Sequence, residues 1–290
     1  MKRRRFLSIT ACFAALPLAA QAAPQRWRGR ALGAEAEILL HGQAGAARAA
    51  FAEIEQVLKA VEAIFSLYDP VSELSQLNRK GSLSVSPRFT ALMELTDQLN
   101  AATDGLFDPT VQPLWRALFE GRDEGRAAIG WSRVQRNGAR VHLAPGQALT
   151  FNGIAQGYAT DLVAEALRRR GFGEVLVNIG EYAGHGGSWT IGLEDPAHGH
   201  LGTRTLTDGA IATSSPSAMQ LGAAGHILHP KGGQPLWSTV SLEASSAALA
   251  DGASTAFCLA PADEIRSMIL RLPGLRRVTL VDAEGNLTTL

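Results

Sequence analysis

The chain has 290 residues, 46% of them hydrophobic, and its 27 basic side chains balance 27 acidic ones. Four of the basic residues, Lys2, Arg3, Arg4 and Arg5, open an N-terminal apolar segment, and without them 23 basic residues face 27 acidic ones, a charge near −4. That balance excludes nucleic acid and anionic membrane as default partners, since both are gripped through excess Lys and Arg, and the apolar content suffices for one large core or two closely joined halves.

Residues 1–22 have the composition of an export leader: a basic start, an apolar run to Ala20, and the small-x-small pattern Ala20-Gln21-Ala22. The run is about fifteen residues and contains Pro17, too short for the ~20 that a membrane-spanning helix needs. Arg3-Arg4 followed by Phe6-Leu7 resembles the twin-arginine signal, which exports folded proteins, although an ordinary secretory leader also begins with positive charge. Ile9-Thr10-Ala11-Cys12 resembles a lipoprotein cleavage box, but it leaves an apolar region too short to use. The expectation is a periplasmic domain over residues 23–290. Cys258 is its sole thiol, read as a buried, inert one, so no internal disulfide is available.

Along the domain, residues 28–40 read as a strand. A helix follows Gly42, with Phe51, Ile54, Val57, Leu58, Val61, Ile64 and Phe65 recurring at three and four residues. Residues 66–78 are too polar for core and contain Asp69-Pro70, so they read as a loop. Residues 87–102 read as a helix with Leu92, Leu95 and Leu99 on one face. Residues 121–146 read as an irregular insertion with one short strand. The glycine-containing stretch 150–158 leads into a helix through Leu167, closed by Arg168-Arg169-Arg170-Gly171, basic residues in the last turn with glycine beyond. Strands are expected at 174–179, 189–193, 239–243 and 277–281, and a helix at 247–259. There is no internal repeat, and the mixture reads as α+β.

Three groups of residues carry candidate chemistry. Asp251 and Thr255 are four apart on the expected helix, which puts a carboxylate and a hydroxyl on one face; hard oxygen donors of this kind suit Mg²⁺ or Ca²⁺, while a helix cap is the plainer alternative. His226 and His229 precede a turn, and one histidine titrating near neutrality can act as a general base. Gly153 and Gly157 open a helix whose N-terminus could hold phosphate, or is simply a tight start.

The order of these pieces is more informative than any one of them. Phe65-Ser66-Leu67-Tyr68, Gly105-Leu106-Phe107-Asp108-Pro109, Gly153-Ile154-Ala155-Gln156-Gly157-Tyr158, Asn178-Ile179-Gly180, Ala212-Thr213-Ser214, His226-Ile227, and Ala250-Asp251 through Thr255 follow one another over nearly the whole domain. That series resembles the ApbE family, the FAD:protein FMN transferases. The resemblance implies an α+β, T-fold-related architecture of mixed sheets with packed helices. It also implies Mg²⁺-dependent transfer of the FMN half of FAD to a Thr or Ser hydroxyl of an exported flavoprotein, with release of AMP. By the same resemblance His226 is the catalytic residue, and Gly153, Asp251, Ser254 and Thr255 hold the metal. Leu32, Tyr68, Leu106, Phe107, Asp108, Thr150, Gln156 and Ile227 line the FAD cleft. The chain departs from the family pattern where Thr150 replaces Asp, Gln156 replaces Lys or Glu, Gly180-Glu181-Tyr182 replaces Gly-Gly-Asp, Ser214-Ser215-Pro216 replaces Ser-Gly, and Leu228-His229-Pro230 replaces Ile-Asp-Pro. Those departures leave two alternatives open, hydrolysis of FAD to FMN and AMP, and flavin binding without catalysis.

Overall fold

The computed structural model describes residues 24–222 and 224–290. The leader expected at 1–22 lies outside them. Among the described residues no helix is long and apolar enough to cross a membrane.

The stretch expected as one strand is a hairpin, β1 (Gln25–Ala31) and β2 (Ala34–Leu40), paired antiparallel from Gln25–Leu40 to Ala31–Ala34. Its two-residue turn puts Leu32 at φ 50° and Gly33 at φ 81°, the doubly left-handed geometry that matches strand twist. Leucine is unusual there, which is why the sequence conceals the turn. The Leu32 N–H is held by Glu62 Oε1 at 2.8 Å. Glu62 belongs to α1 (Ala44–Phe65), whose buried Ala47, Ala50, Ile54, Leu58, Val61, Ile64 and Phe65 form one stripe.

The polar stretch after α1 is only partly loop, because α2 (Glu73–Lys80) starts within it. Ser72 caps it by accepting from the Ser75 N–H, and Gly81 ends it in the left-handed conformation. β3 (Ser82–Ser84) and α3 (Pro87–Ala102) follow; Ser86 caps α3 and Pro87 sits at its first turn, where no N–H is needed. α4 (Gln112–Phe119) comes next. The insertion contains two strands rather than one, β4 (Gln135–Asn137) and β5 (Arg140–His142), which pair with β3 in a small sheet ordered β3-β5-β4.

α5 (Ala155–Arg169) leads through a left-handed Gly171 to β6 (Val175–Asn178) and β7 (Tyr182–His185). The remaining strands and helices are β8 (Trp189–Asp195), β9 (Gly199–Leu206), β10 (Gly209–Ser214), β11 (Gln220–Leu221), β12 (Ala224–Gly225), β13 (Thr239–Ala244), α6 (Ala247–Phe257), α7 (Ala262–Ile269), β14 (Leu275–Val281) and β15 (Leu287–Thr289). An eight-stranded antiparallel sheet runs in the order β1-β2-β6-β7-β10-β13-β14-β15.

Alternation along these strands separates two buried faces. Ile38, Leu40, Val175, Val177, Ala212, Val240, Leu242 and Leu280 join the main core with α1, α5 and α6. Leu39, Leu176, Tyr182 and Ile211 point the other way, onto Trp189, Ile191 and Leu206 of the β8–β9 hairpin. At the helix side, Phe65 packs against Phe89, Phe151 and Tyr158 with ring centroids 5.5, 5.6 and 5.9 Å away. These rings fix the segment that opens α5 against α1 and α3.

Candidate active site

Phe151 is buried in that aromatic cluster, and its carbonyl accepts from the N–H groups of Ile154 and Ala155 at 3.0 and 2.8 Å. The turn this makes delivers the chain to the start of α5. There α5 crosses α6 so closely that a Cβ on Gly157 would overlap the Ala247 carbonyl. Glycine is required by that approach, and it permits the Gly157 N–H to donate to Asp251 Oδ2 at 2.9 Å.

Asp251 is buried in the middle of α6, and burial pushes its carboxyl up to about 7 against the lowering effect of the Gly157 N–H, with a smaller raising contribution from the negative Asp161. Glu181, in the turn between β6 and β7, is buried beside it. Its Oε2 accepts from the Thr213 N–H at 3.1 Å, and burial together with the Asp251 charge drives its pKa well above the usual carboxylate range. Among the described residues, neither carboxylate has a cationic partner. Two neighbouring buried carboxyls without a counter-charge are costly unless a cation or a shared proton compensates them.

Oxygen donors complete the surroundings. The Ser214 hydroxyl, at the end of β10, lies 2.8 Å from Ser254 Oγ and 3.4 Å from Thr255 Oγ1, and Thr255 Oγ1 lies 3.5 Å from the Gly153 carbonyl. Ser254 Oγ also donates to the Asp251 carbonyl at 2.9 Å. The i, i+4 spacing on α6 therefore does place Asp251 and Thr255 toward the opening of α5. Among the described residues no three His, Cys, Asp or Glu side chains gather as a metal cluster, so a cation here depends on hydroxyl and carbonyl oxygens with these carboxylates. That donor set fits a hard divalent ion such as Mg²⁺, which takes few protein ligands and completes its shell with water and phosphate.

His226 lies just after β12. Its backbone N–H and its Nδ1 both approach the Pro216 carbonyl, at 3.2 and 3.1 Å. A carbonyl only accepts, so Nδ1 carries the proton and the lone pair of the neutral ring is on Nε2. A Cβ on Gly225 would crowd the same carbonyl, which makes glycine necessary beside the histidine. His229 is held differently. Its Nδ1 accepts from the Lys231 N–H at 3.2 Å, its carbonyl accepts from Arg126 Nη1 at 3.1 Å, and burial followed by the Lys231 and Arg126 charges lowers its pKa. Ile227 and His229 line a cavity of about 260 Å³ with Leu118, Arg126 and Pro235.

The other residues expected at a flavin cleft are distributed unequally. Thr150 is joined to the 106–109 segment through its N–H, which donates to the Pro109 carbonyl at 2.9 Å. Gln156 packs over Gly180, where a Cβ would meet its amide, and so adjoins Glu181. Tyr68 is 72% exposed. Leu106 and Phe107 are core side chains, and both main-chain groups of Phe107 are engaged, the N–H by Thr103 Oγ1 and the carbonyl by Asn100. The Asp108 carboxylate is committed locally, accepting from Thr110 N and Oγ1 and from the Trp131 N–H, and burial raises its pKa despite these bonds. Glu181 and Ser214 are residues to which sequence reasoning gave no role at the site: Glu181 stood only as a departure from the family pattern, and Ser214 as part of the Ala212-Thr213-Ser214 motif and of a departure beside it. The available signal was a carboxylate set between the buried Ile179 and Tyr182.

Residues 32–278 match the family model described as the ApbE family. The chain belongs to the ApbE family. Among curated relatives of this ApbE-family protein, the FAD:protein FMN transferase of Klebsiella pneumoniae is 27% identical over 62% of this chain and 65% of its own length, so the match spans just under two thirds of that relative. The FAD:protein FMN transferase of Vibrio cholerae is 28% identical over 70% of this chain and 71% of its own. The solved flavin transferase ApbE from Vibrio cholerae superposes with a TM-score of 0.78 at 23% identity, covering 92% of this chain and 97% of that one. The apo flavinyl transferase ApbE of Pseudomonas stutzeri gives 0.79 at 25% identity over 92% and 94%. The ApbE protein of Thermotoga maritima gives 0.81 at 24% over 91% and 96%. Together with the antiparallel sheet and its packed helices, these likenesses establish the α+β fold of the family.

Proposed function

We propose that this chain, like the transferases it is related to, moves the FMN moiety of FAD onto a Thr or Ser hydroxyl of an exported flavoprotein and releases AMP. The observation that carries this reading is the buried pair Asp251 and Glu181, uncompensated by a cationic side chain among the described residues and bordered by the oxygens of Gly153, Ser214, Ser254 and Thr255. Asp251, Thr255 and the Gly153 carbonyl would hold Mg²⁺, with Ser254 and Ser214 supporting them. When bound, the ion supplies charge neutralisation at the diphosphate.

The chain's own residues do the rest. His226, with its proton fixed on Nδ1, presents Nε2 as the base that accepts the proton of the attacking hydroxyl. The hydroxyl oxygen bonds to the phosphorus on the FMN side, the bridging P–O bond breaks, and AMP leaves with the bridging oxygen. Leu32, Tyr68, Thr150, Gln156, Ile227 and the 106–108 segment form the flavin and nucleotide surroundings in this reading. The leader at 1–22 supports an acceptor outside the cytoplasmic membrane, in the periplasm.

The test is mass spectrometry of a candidate exported flavoprotein after incubation with FAD and Mg²⁺. The acceptor is expected to gain the FMN phosphoryl mass, and His226→Ala to slow that gain by roughly a hundredfold or more. Free FMN with an unmodified acceptor would favour hydrolysis instead, and tight FAD binding without turnover would favour a non-catalytic flavin binder.

A further inference from the structure

One buried acid lies outside the site described so far. Asp195 ends β8 and is 1% exposed. Its Oδ1 accepts from the Ala197 and His198 N–H groups at 2.7 and 2.9 Å, and its Oδ2 accepts from Ser238 Oγ and Thr239 Oγ1 at 2.6 and 2.7 Å. Burial alone would raise its pKa, but these four bonds outweigh it and hold the carboxyl below its ordinary value. An ionised carboxylate only accepts, so the Thr239 hydroxyl proton is committed to it. Ser215 Oγ lies 2.7 Å from Thr239 Oγ1 and must therefore be the donor in that pair. The direction of every bond in the chain Ser215 to Thr239 to Asp195 is thus set by the negative charge at its end.

Ser215 stands at the centre of the segment that the site depends on. Before it, Ser214 offers its hydroxyl to Ser254 and Thr255, and its carbonyl receives Cys258 Sγ at 3.6 Å. After it, the Pro216 carbonyl receives His226 Nδ1 at 3.1 Å and shares the His226 backbone N–H, at 3.2 Å, with the Met219 carbonyl at 3.0 Å. The segment is pinned by α6 on one side and by the histidine on the other; its backbone is laddered to β13 as far as Ser214–Val240, and Ser215 supplies the side-chain tie to β13 past the end of that ladder. We propose that Asp195 is a positioning residue for His226, acting through Thr239 and Ser215 to fix the Pro216 carbonyl that sets the histidine's proton and ring orientation. The inference rests on the proposed role of His226 as the base.

Because Oδ2 holds two hydroxyls, the molecule supplies its own control. Thr239 leads to the site and Ser238 does not. Replacing Asp195 risks the fold, so the test uses Thr239→Val, Thr239→Ser and Ser238→Ala, each checked for cooperative unfolding. Steady-state transfer is measured alongside long-range proton–nitrogen NMR spectra of the histidine side chains in the protein without FAD or metal, with His226 assigned by its loss in His226→Gln. Thr239→Val is expected to lower kcat about tenfold or more with little change in KM for FAD, and to shift the His226 nitrogen signals away from the Nδ1–H pattern. Thr239→Ser should restore both, and Ser238→Ala should leave both unchanged. Either readout unmoved in Thr239→Val, or Ser238→Ala as harmful as Thr239→Val, overturns the proposal. A wild type that transfers no flavin overturns the base role instead, and the NMR comparison still decides whether the relay orients His226.

Discussion

The contact between α5 and α6 contains two aspartates in opposite circumstances. Asp161, on α5, faces the N-terminus of α6 and accepts from Ser246 Oγ, Ala247 N and Ala248 N at 2.7, 2.7 and 2.9 Å. It meets backbone donors that the first turn of a helix leaves unpaired, and the helix dipole favours its charge. Asp251, on α6, faces the start of α5 and receives one bond, from Gly157. Asp161 is half-buried and Asp251 buried, but it is the number of donors, three against one, that separates the two roles. A saturated carboxylate belongs to the fold, whereas one left short of partners and set beside a second acid is suited to an external cation.

The sharpest break between them is functional. Asp251→Asn is expected to reduce Mg²⁺-dependent transfer by at least about a hundredfold and to abolish the rise in thermal midpoint that Mg²⁺ gives the wild type, while Asp161→Asn keeps most of both. Scanning fluorimetry with and without Mg²⁺ reads the second effect. If Asp251→Asn were still stabilised by Mg²⁺ as fully as wild type, the ion would sit elsewhere.

Next in size is Asp161→Ala, which removes three hydrogen bonds from the α6 cap although Ser246 Oγ still accepts from the Leu249 N–H. It should cost about 2–3 kcal/mol in urea unfolding without lowering kcat per folded molecule. Gly157→Ala acts on both aspartates at once, because the added methyl pushes α5 from the Ala247 carbonyl. A loss of about 1–3 kcal/mol is expected, together with a weaker Mg²⁺ response in the same fluorimetric assay.

The smallest effect is a pH slope. Burial, the largest influence, raises the Asp161 pKa above 3.8 despite the Ala248, Ala247 and Ser246 hydrogen bonds. Its folded form therefore holds a proton more tightly than its unfolded form. The associated stability is present below pH 3.8 and is lost as pH rises through the folded pKa. Asp161→Asn should flatten that part of the stability profile, and urea midpoints taken across the acid range for both proteins would reveal an unchanged slope if the argument is wrong.

Local signals in the chain were sufficient wherever a structure is determined locally. The α3 limits follow from a serine cap, a proline at the first turn and apolar spacing. The shared face of Asp251 and Thr255 follows from helical geometry alone. What escaped is non-local or atypical. α2 buries only Leu74 and Leu77, too little apolar patterning to distinguish it from a polar loop. Glu181, from the β6–β7 turn, and Ser214, from the end of β10, come beside Asp251 and Thr255 only through the packing of α6 on the sheet, so no spacing reveals them. Leu106 and Phe107 follow the family pattern in sequence but turn their side chains into the core, which only packing discloses.

The turn at Leu32 has a consequence for how this protein can change. A leucine at φ 50° is disfavoured by roughly 1 kcal/mol or more relative to glycine or asparagine. A selection scheme rewarding heat resistance alone would be expected to replace it early, since Leu32→Asn keeps the N–H bond to Glu62 and relieves the backbone. Its persistence in a working lineage would then measure how strongly the side chain, rather than the fold, is under selection, and a library scored separately for melting and for transfer would split at this position.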